Sequence, residues 1–203
     1  MNTNETMNYC DFFKHDELDQ TYHDAEWGWP LHDDRQMFEH LAMEVMQCGL
    51  SWITCLKRRE VFRLCFDNFD IARVAAYTDQ DVQRIMQTPG MIRAERKIRA
   101  IINNARVASQ LPQGLSEWLW QFTDGKVIVY DGHPDGQIPA QNGLSRRVAA
   151  SLRELGMTFV GPVNTYAHLQ ASGIINDHSR HCPIYQRIIA THEVAYLPRD
   201  HEQ

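Results

Sequence analysis

The sequence predicts an all-α fold, a helical bundle formed by a chain of 203 residues. Three observations carry that expectation. Apolar residues recur at three- and four-residue spacing in segment after segment. Polar caps and Gly or Pro breaks bound those segments, and only Lys126 to Tyr130 has the pattern of a strand.

The elements follow in order. From Asp33 to Cys48, residues Met37, Phe38, Leu41, Ala42, Val45 and Cys48 recur at helical spacing, and Asp33 or Asp34 suits the N-cap. Gly49 then breaks the helix. A second helical segment is expected over Thr54 to Asn68, with Leu56, Phe62, Cys65 and Phe66 on one face. Thr78-Asp79-Gln80-Asp81 has the form of a capped start to a short helix bearing Val82, Ile85 and Met86. Thr88-Pro89-Gly90 stops it, and Ala94 to Gln110 resumes a helix with Ile98, Ile101, Ile102 and Ala105 inward. Ser145 to Leu155, closed by Gly156, is a further helix. Pro162 suits the first turn of the next, which ends near Gly173. After the strand, a Gly/Pro/Asp-rich loop runs through Gln141.

Apolar residues make up 43% of the chain and charged residues 23%, which excludes a disordered or collagen-like protein. No stretch approaches the roughly 20 apolar residues that a bilayer span needs, so no membrane partner is expected. Met1 to Glu17 is polar and acidic, unlike a secretory signal or transit peptide. Five cysteines without a dense framework fit a reducing compartment, and the expectation is a soluble, cytoplasmic protein. The net charge of −6 conceals an asymmetry: residues 1–44 hold eleven Asp/Glu and two Lys/Arg. Between Arg84 and Arg106, six basic residues (Arg84, Arg93, Arg96, Lys97, Arg99, Arg106) face Glu95 alone. That run is either a solvated helix face or a surface for a polyanion.

Four features can carry chemistry. At about 100° per residue, Glu44 projects within about 20° of Met37 and 40° of Cys48, on the edge of the apolar stripe. A carboxylate there needs a partner, which is either a neighbouring protein group or a ligand in a pocket. Cys10 and His23 lie near one end of the chain and His178 and Cys182 near the other. Together they could make a tetrahedral Cys2His2 zinc site, or they are a chance quartet among ten histidines and five cysteines. Thr88-Pro89-Gly90-Met91 separates a short helix from a basic one. It is either an ordinary turn or a helix–hairpin–helix whose backbone N–H groups bind a phosphate. Tyr22, Trp27, Trp29 and Trp52 can stack on a base, a cationic one especially, or serve as core residues.

Read in order, these segments resemble the 3-methyladenine DNA glycosylase I family, a branch of the helix-hairpin-helix glycosylases. The resemblance lies in Tyr22-His23-Asp24-Ala25-Glu26-Trp27-Gly28, in Gly49-Leu50-Ser51-Trp52-Ile53-Thr54 and in Lys57-Arg58-Arg59-Glu60. It continues through Ile102-Asn103-Asn104-Ala105, Phe159-Val160-Gly161-Pro162, Gln170-Ala171 and Asn176-Asp177-His178, spanning about Cys10 to Cys182. The resemblance implies one structural Zn2+ held by Cys10, His23, His178 and Cys182. It implies that Glu44 contacts an alkylated adenine between walls that include Tyr22 and Trp52, with Phe12 and Trp27 also in the substrate site. It implies a DNA-gripping hairpin over Met86 to Lys97, with Gly90, Met91, Arg93 and Lys97 facing the backbone.

The implied fold is thus a helical bundle with a helix-hairpin-helix element and a zinc site joining the terminal segments. One glycosylase domain would fill residues 1–203, with a zinc-bridged part at about 1–30 and 160–203 and a hairpin region at about 33–156. The implied activity is hydrolysis of the N-glycosidic bond of alkylated purines, chiefly 3-methyladenine, in double-stranded DNA, by a monomer without a small-molecule cofactor. The contrasting expectation is a zinc-stabilised lesion-binding module without base excision. This sequence departs from the family pattern at Phe12, Asp19, Ala94-Glu95-Arg96 and His168-Leu169, and Gln186 to Gln203 carries no recognised motif.

Overall fold

The computed structural model describes Cys10, Phe13, residues 16–131 and residues 138–198. The chain opens with α1 (Glu17–Ala25), where the Asp16 carboxylate accepts from the Leu18 N–H at 2.9 Å. It continues with α2 (Asp34–Gln47), where Asp33 accepts from the Gln36 N–H at 2.8 Å. These caps satisfy N–H groups that have no partner inside the helix. The single helix expected over Thr54 to Asn68 is instead α3 (Trp52–Leu56) and α4 (Arg59–Cys65), followed by a 3-10 turn at Asp67–Phe69. Arg58 makes the break: its backbone leaves helical geometry, and its guanidinium donates to the Thr54 carbonyl at 2.9 Å, closing α3.

Next come α5 (Ile71–Ala75), α6 (Asp79–Gln87), α7 (Glu95–Ala108) and α8 (Leu115–Trp120). Strand β1 (Val127–Asp131) precedes α9 (Gly143–Glu154), α10 (Pro162–Ala171), α11 (Pro183–Thr191) and β2 (Val194–Pro198). Helix α9 starts at an Asn142/Ser145 capping box, and Pro162 and Pro183 sit in the first turns of α10 and α11. Helices α1, α5, α8 and α11, which the periodicity does not pick out, have nine, five, six and nine residues, too few to repeat a pattern.

The architecture is mostly helical, and the all-α expectation is corrected by a small parallel sheet. β1 pairs with β2 from Val127↔Val194 to Asp131↔Pro198. β2 lies in the tail that carried no motif, and its partner is distant in sequence, so no local pattern reveals the pairing. On its other side β1 meets residues 174–176: Ile128 N–H donates to the Ile174 carbonyl at 2.8 Å, and Asn176 N–H to the Ile128 carbonyl at 2.9 Å. The short sheet thereby fixes the loop that leads into His178.

Helix α2 is the centre of the bundle, packed against α3, α7, α8 and α10. Every residue from Met37 to Met46 is buried. Glu39 therefore has to be neutralised inside the protein. It accepts from Arg59 Nε at 2.6 Å, Arg63 Nε at 2.8 Å and Arg35 Nη1 at 3.4 Å, while Arg59 also donates to Glu26 at 2.6 Å. His40 on α2 and His168 on α10 are buried as neutral rings, and burial pushes both down to about 3. Neither nitrogen of His168 has a partner among the described residues.

This burial sets an acid sensitivity. A histidine lowered from its ordinary 6.5 to about 3 on folding takes its proton first in the unfolded chain. Its stabilising contribution is complete above pH 6.5 and is lost as the pH falls toward 3. We expect His168→Leu to lose less stability than the unsubstituted protein between pH 7 and pH 5, the gap widening by up to about 1.4 kcal/mol per pH unit. Urea unfolding of both proteins at several pH values measures this, and curves that stay parallel would contradict it.

Candidate active site and metal centre

Three of the candidate ligands reach their places through local structure. His23 occupies the last turn of α1, His178 follows the loop held by β1, and Cys182 is the N-cap of α11. With Cys10 they form a buried cluster whose ligand atoms all lie within 4.8 Å of one another. Cys10 Sγ is 3.6 Å from His178 Nδ1, Cys182 Sγ is 3.7 Å from His178 Nδ1 and 3.8 Å from His23 Nε2, and the two imidazole nitrogens are 3.2 Å apart.

The outer nitrogens of both rings are engaged. His23 Nδ1 bonds the Asp24 carboxylate at 2.8 Å, and His178 Nε2 donates to the Trp27 carbonyl at 2.9 Å. Those bonds fix the tautomers that leave His23 Nε2 and His178 Nδ1 turned to the cluster. Gly28, with φ +78°, lets the chain approach this closely, since a Cβ there would lie 2.5 Å from His178 Nε2. The two sulfurs share polarity unequally: contact with Cys10, His178 and His23 lowers the Cys182 thiol, while Cys182 and burial raise Cys10. Two thiol groups and two oriented imidazoles at this spacing can hold one metal ion.

Beside the cluster lies a cavity of about 390 Å³, lined by Phe13, Asp19, Tyr22, Trp27, Glu44, Gln47, Trp52, Ile138, Ala167 and Gln170. Its walls are aromatic: the Tyr22 and Trp52 rings are 5.1 Å apart at 42°, and Phe13 and Trp27 are 4.9 Å apart. Three buried polar atoms, Tyr22 Oη, Glu44 Oε2 and Trp52 Nε1, have no hydrogen-bond partner among the described residues. Each such atom costs about 1–3 kcal/mol in a folded protein. Three at one cavity mark a place built to bind a ligand with its own donors and acceptors.

Glu44 is 4% exposed, and burial alone pushes its carboxyl up to about 8. Tyr22 rises for the same first reason and then through the neighbouring Glu44 carboxylate. At neutral pH the resting pocket therefore holds a protonated carboxyl beside a neutral phenol. Glu44, Tyr22, Trp52 and Trp27 are brought together as the sequence reading grouped them. Phe12 lies outside the described residues, and its neighbour Phe13 supplies a ring at that wall. Gln47 and Gln170 were missed. Gln47 is three residues after Glu44 on the same helical face, a usable signal, and Gln170 stands in a matched segment without an assigned role.

The turn between α6 and α7 has Gly90 exposed at φ +81° and Arg93 exposed, whereas Met91 is buried and anchors the turn in the core. Four of the six basic residues from Arg84 to Arg106 are bonded to groups of the protein itself. Arg84 bonds Cys65 O and Asp81, and Arg106 bonds Ala75 O and Tyr77 O. Arg99 bonds Glu95 and Asp79, and Lys97 bonds Met46 O and Cys48 O. Glu95 is thus paired within α7. Arg93 and Arg96 are exposed and form no ion pair among the described residues.

The sequence model described as methyladenine glycosylase matches residues 12–186. DNA-3-methyladenine glycosylase 1 of Escherichia coli (strain K12) is 39% identical over 182 residues, which are 88% of this chain and 97% of that protein. A crystal structure of 3-methyladenine DNA glycosylase I superposes with a TM-score of 0.81 at 40% identity, covering 86% of this chain and 98% of the other. A substituted form of 3-methyladenine DNA glycosylase I, crystallised in complex with 3-methyladenine, superposes with a TM-score of 0.83 at 32% identity, covering 87% and 97%.

The raised pKa of Glu44 has a thermodynamic consequence. Its proton stays on the folded protein until about pH 8 but leaves the unfolded chain near 4.5, so folding stability falls as pH rises through that window. Glu44→Gln removes the effect. Its stability relative to the unsubstituted protein should grow by up to about 1.4 kcal/mol per pH unit between pH 5 and 8. Denaturant titrations of both proteins test this, and a pH-independent difference would show that Glu44 is not held neutral.

Proposed function

This chain belongs to the methyladenine glycosylase family, and from that membership we propose a residue-level account of its reaction on DNA. The protein is a DNA repair glycosylase that removes 3-methyladenine, and the carrying observation is a neutral, unpartnered Glu44 at the end of an aromatic cavity. An N3-alkylated adenine in DNA carries a positive charge, which weakens its glycosidic bond. Extracting the base from the stack costs a few kcal/mol, less at a damaged pair.

In the cavity, Tyr22 and Trp52 stack on the cationic ring, and Glu44 gives up its proton to bulk water as the cation enters, becoming the acceptor and counter-charge. Phe13 supplies a ring to the cavity wall, and Trp27 closes the side next to the metal cluster. The C1′–N9 bond breaks with its electron pair moving to the base, whose positive charge it cancels. Water then adds to the oxocarbenium-like C1′ and releases a proton, leaving an abasic site. Glu44 acts in recognition.

Zinc is the metal we assign to Cys10, His23, His178 and Cys182. With bonds of about 2.3 Å to sulfur and 2.0–2.1 Å to nitrogen, a tetrahedral ion separates its ligand atoms by roughly 3.3–3.8 Å. Four of the six ligand-atom distances, 3.2–3.8 Å, fit that polyhedron, and all six lie within 4.8 Å. The ion is structural and joins the terminal segments to one domain, with the region of α6 and α7 as its helix-hairpin-helix part. That turn, through Gly90, Arg93 and the backbone that Met91 anchors, grips the DNA backbone, and the free charges of Arg93 and Arg96 support this. The unpaired state of Cys10, Cys48, Cys55, Cys65 and Cys182 suits the cytoplasm. No helix of the described residues is long and apolar enough to cross a membrane.

Release of free base from methylated duplex DNA, resolved by chromatography, is the primary test. The unsubstituted protein should release 3-methyladenine. Glu44→Gln should slow release by about a hundredfold or more while binding undamaged duplex within about twofold, as expected when a buried charge partner is removed. Equal losses in excision and in plain duplex binding would remove Glu44 from lesion recognition. Independently, the purified protein should contain about one zinc per chain, lost in Cys182→Ser together with thermal stability. Metal-free protein that melts as high as metal-loaded protein would refute the structural role.

A further inference from the structure

Lys97 stands in the first turn of α7, directly after the turn that follows α6, and its side chain is half-buried. Its ammonium donates to the Met46 carbonyl at 2.8 Å and to the Cys48 carbonyl at 2.5 Å. These are carbonyls at the end of α2, a helix with no basic residue in its own last turn. A cation at a helix C-terminus satisfies carbonyls that lack intrahelical partners and opposes the negative end of the dipole. An ammonium has three donors, and two of these three are committed inside the protein.

The two carbonyls bracket Gln47, which lines the cavity, and Glu44 lies one turn earlier on the same helix. Beyond Cys48, Gly49 takes φ +78° and the chain passes through Leu50 and Ser51 to Trp52, the opposite wall. Asn164 supports the same joint from α10, its amide donating to Cys48 Sγ at 2.7 Å and to Phe159 O at 3.0 Å. Lys97 is thus a side chain of α7 that bonds the chain on both sides of Gln47, just before the segment that leads to Trp52, a second lining residue.

We propose that Lys97 is a positioning residue, which ties the turn before α7 to the pocket wall from Gln47 to Trp52, and that it does not act by contacting a DNA phosphate. The proposal rests on the reading of the cavity as the lesion site. Its consequence is mechanical. The DNA backbone is gripped at one end of the Lys97 link and the base is received at the other, so the link fixes where an extruded base arrives relative to Glu44. A displacement of about 1 Å at a reacting centre can cost a hundredfold in rate.

Lys97→Met keeps the stem and removes the donors. Binding of free 3-methyladenine, measured without DNA, should weaken about tenfold, and single-turnover excision should fall by about a hundredfold. The slope of log affinity for duplex against log salt should stay unchanged, because a side chain that neutralises one phosphate contributes about 0.9 to that slope. Arg93→Gln is the comparison: it should lower the slope and leave free-base binding as it was. If Lys97→Met does not fold, Lys97→Gln keeps one amide donor without the charge. It should lose less base affinity and again keep the slope.

A Lys97 variant with unaltered free-base binding and a slope lower by about one would overturn the proposal alone. Unsubstituted protein that fails to bind free 3-methyladenine would overturn both the pocket reading and this proposal.

Discussion

Burial of α2 around its whole circumference is the constraint on which the rest of the structure depends. Ten consecutive residues, Met37 to Met46, are buried, and three of them are polar or ionisable. Each is accommodated differently. Glu39 is held in a cage of ion pairs with Arg35, Arg59 and Arg63. His40 is kept neutral, by burial first and then by the nearby arginine charges. Glu44 has neither a cage nor a charged partner, and it becomes neutral by holding its proton. Breaking the Glu39 cage would leave a bare charge in the interior at about 3–5 kcal/mol. Glu44 is the position where the same helix leaves its polar group for something that arrives from outside.

The Cys10/His23/His178/Cys182 cluster sets the other boundary of that pocket. Tyr22 and His23 are neighbours in sequence and face opposite ways from the last turn of α1, one into the cavity and one into the cluster. Trp27 does both, presenting its ring to the cavity and its carbonyl to His178. Nearer the C-terminus, Asp177 accepts from Gln170 at 2.9 Å and from Tyr166 at 2.5 Å, and so links the His178 loop to a further pocket residue. Holding Cys10 and His23 against His178 and Cys182 therefore fixes the tilt of α1. The Tyr22 ring is then fixed over Trp52.

Much of this was legible in the sequence where one pattern recurs over many turns. The 14 residues of α2 carry the apolar stripe at whose edge the sequence puts Glu44; in the structure Glu44 is buried, as is every residue from Met37 to Met46. The family resemblance carried by the segments around Tyr22, Trp52 and His178 agrees with the sequence and structure matches. What was not legible depends on partners far along the chain. Glu39 lies opposite Met37 on the helix and reads as solvent-facing until α4 brings Arg59 and Arg63 over it. Phe12 and Phe13 are adjacent aromatics outside any periodic segment, so spacing cannot choose between them. The basic run from Arg84 to Arg106 reads as one charged surface, yet Arg84, Lys97, Arg99 and Arg106 are bonded to carbonyls or carboxylates of the protein itself. β2 has no local signal because α9, α10 and α11 separate it from its pairing partner.

On the proposed reading of Glu44 as the lesion-recognising group, a carboxyl that rests neutral also explains how a small pocket can reject the normal base. At pH 7, ionising a group that titrates at about 8 costs about 1.4 kcal/mol, a modest penalty that a cation in a low-dielectric cavity readily offsets. An uncharged adenine offers no such compensation. Against it Glu44 keeps its proton, and the base must recover its unstacking cost from ring contacts alone. Discrimination then requires no steric gate against adenine, because the charge that identifies the lesion is also the charge that weakens its glycosidic bond. When the bond breaks, that charge disappears and the attraction to Glu44 falls with it, so the interaction favours capture of the damaged nucleotide more than retention of the free base. A permanently ionised carboxylate in a wet cleft would attract any cation. Burial is what ties the charge of Glu44 to the arrival of the right one.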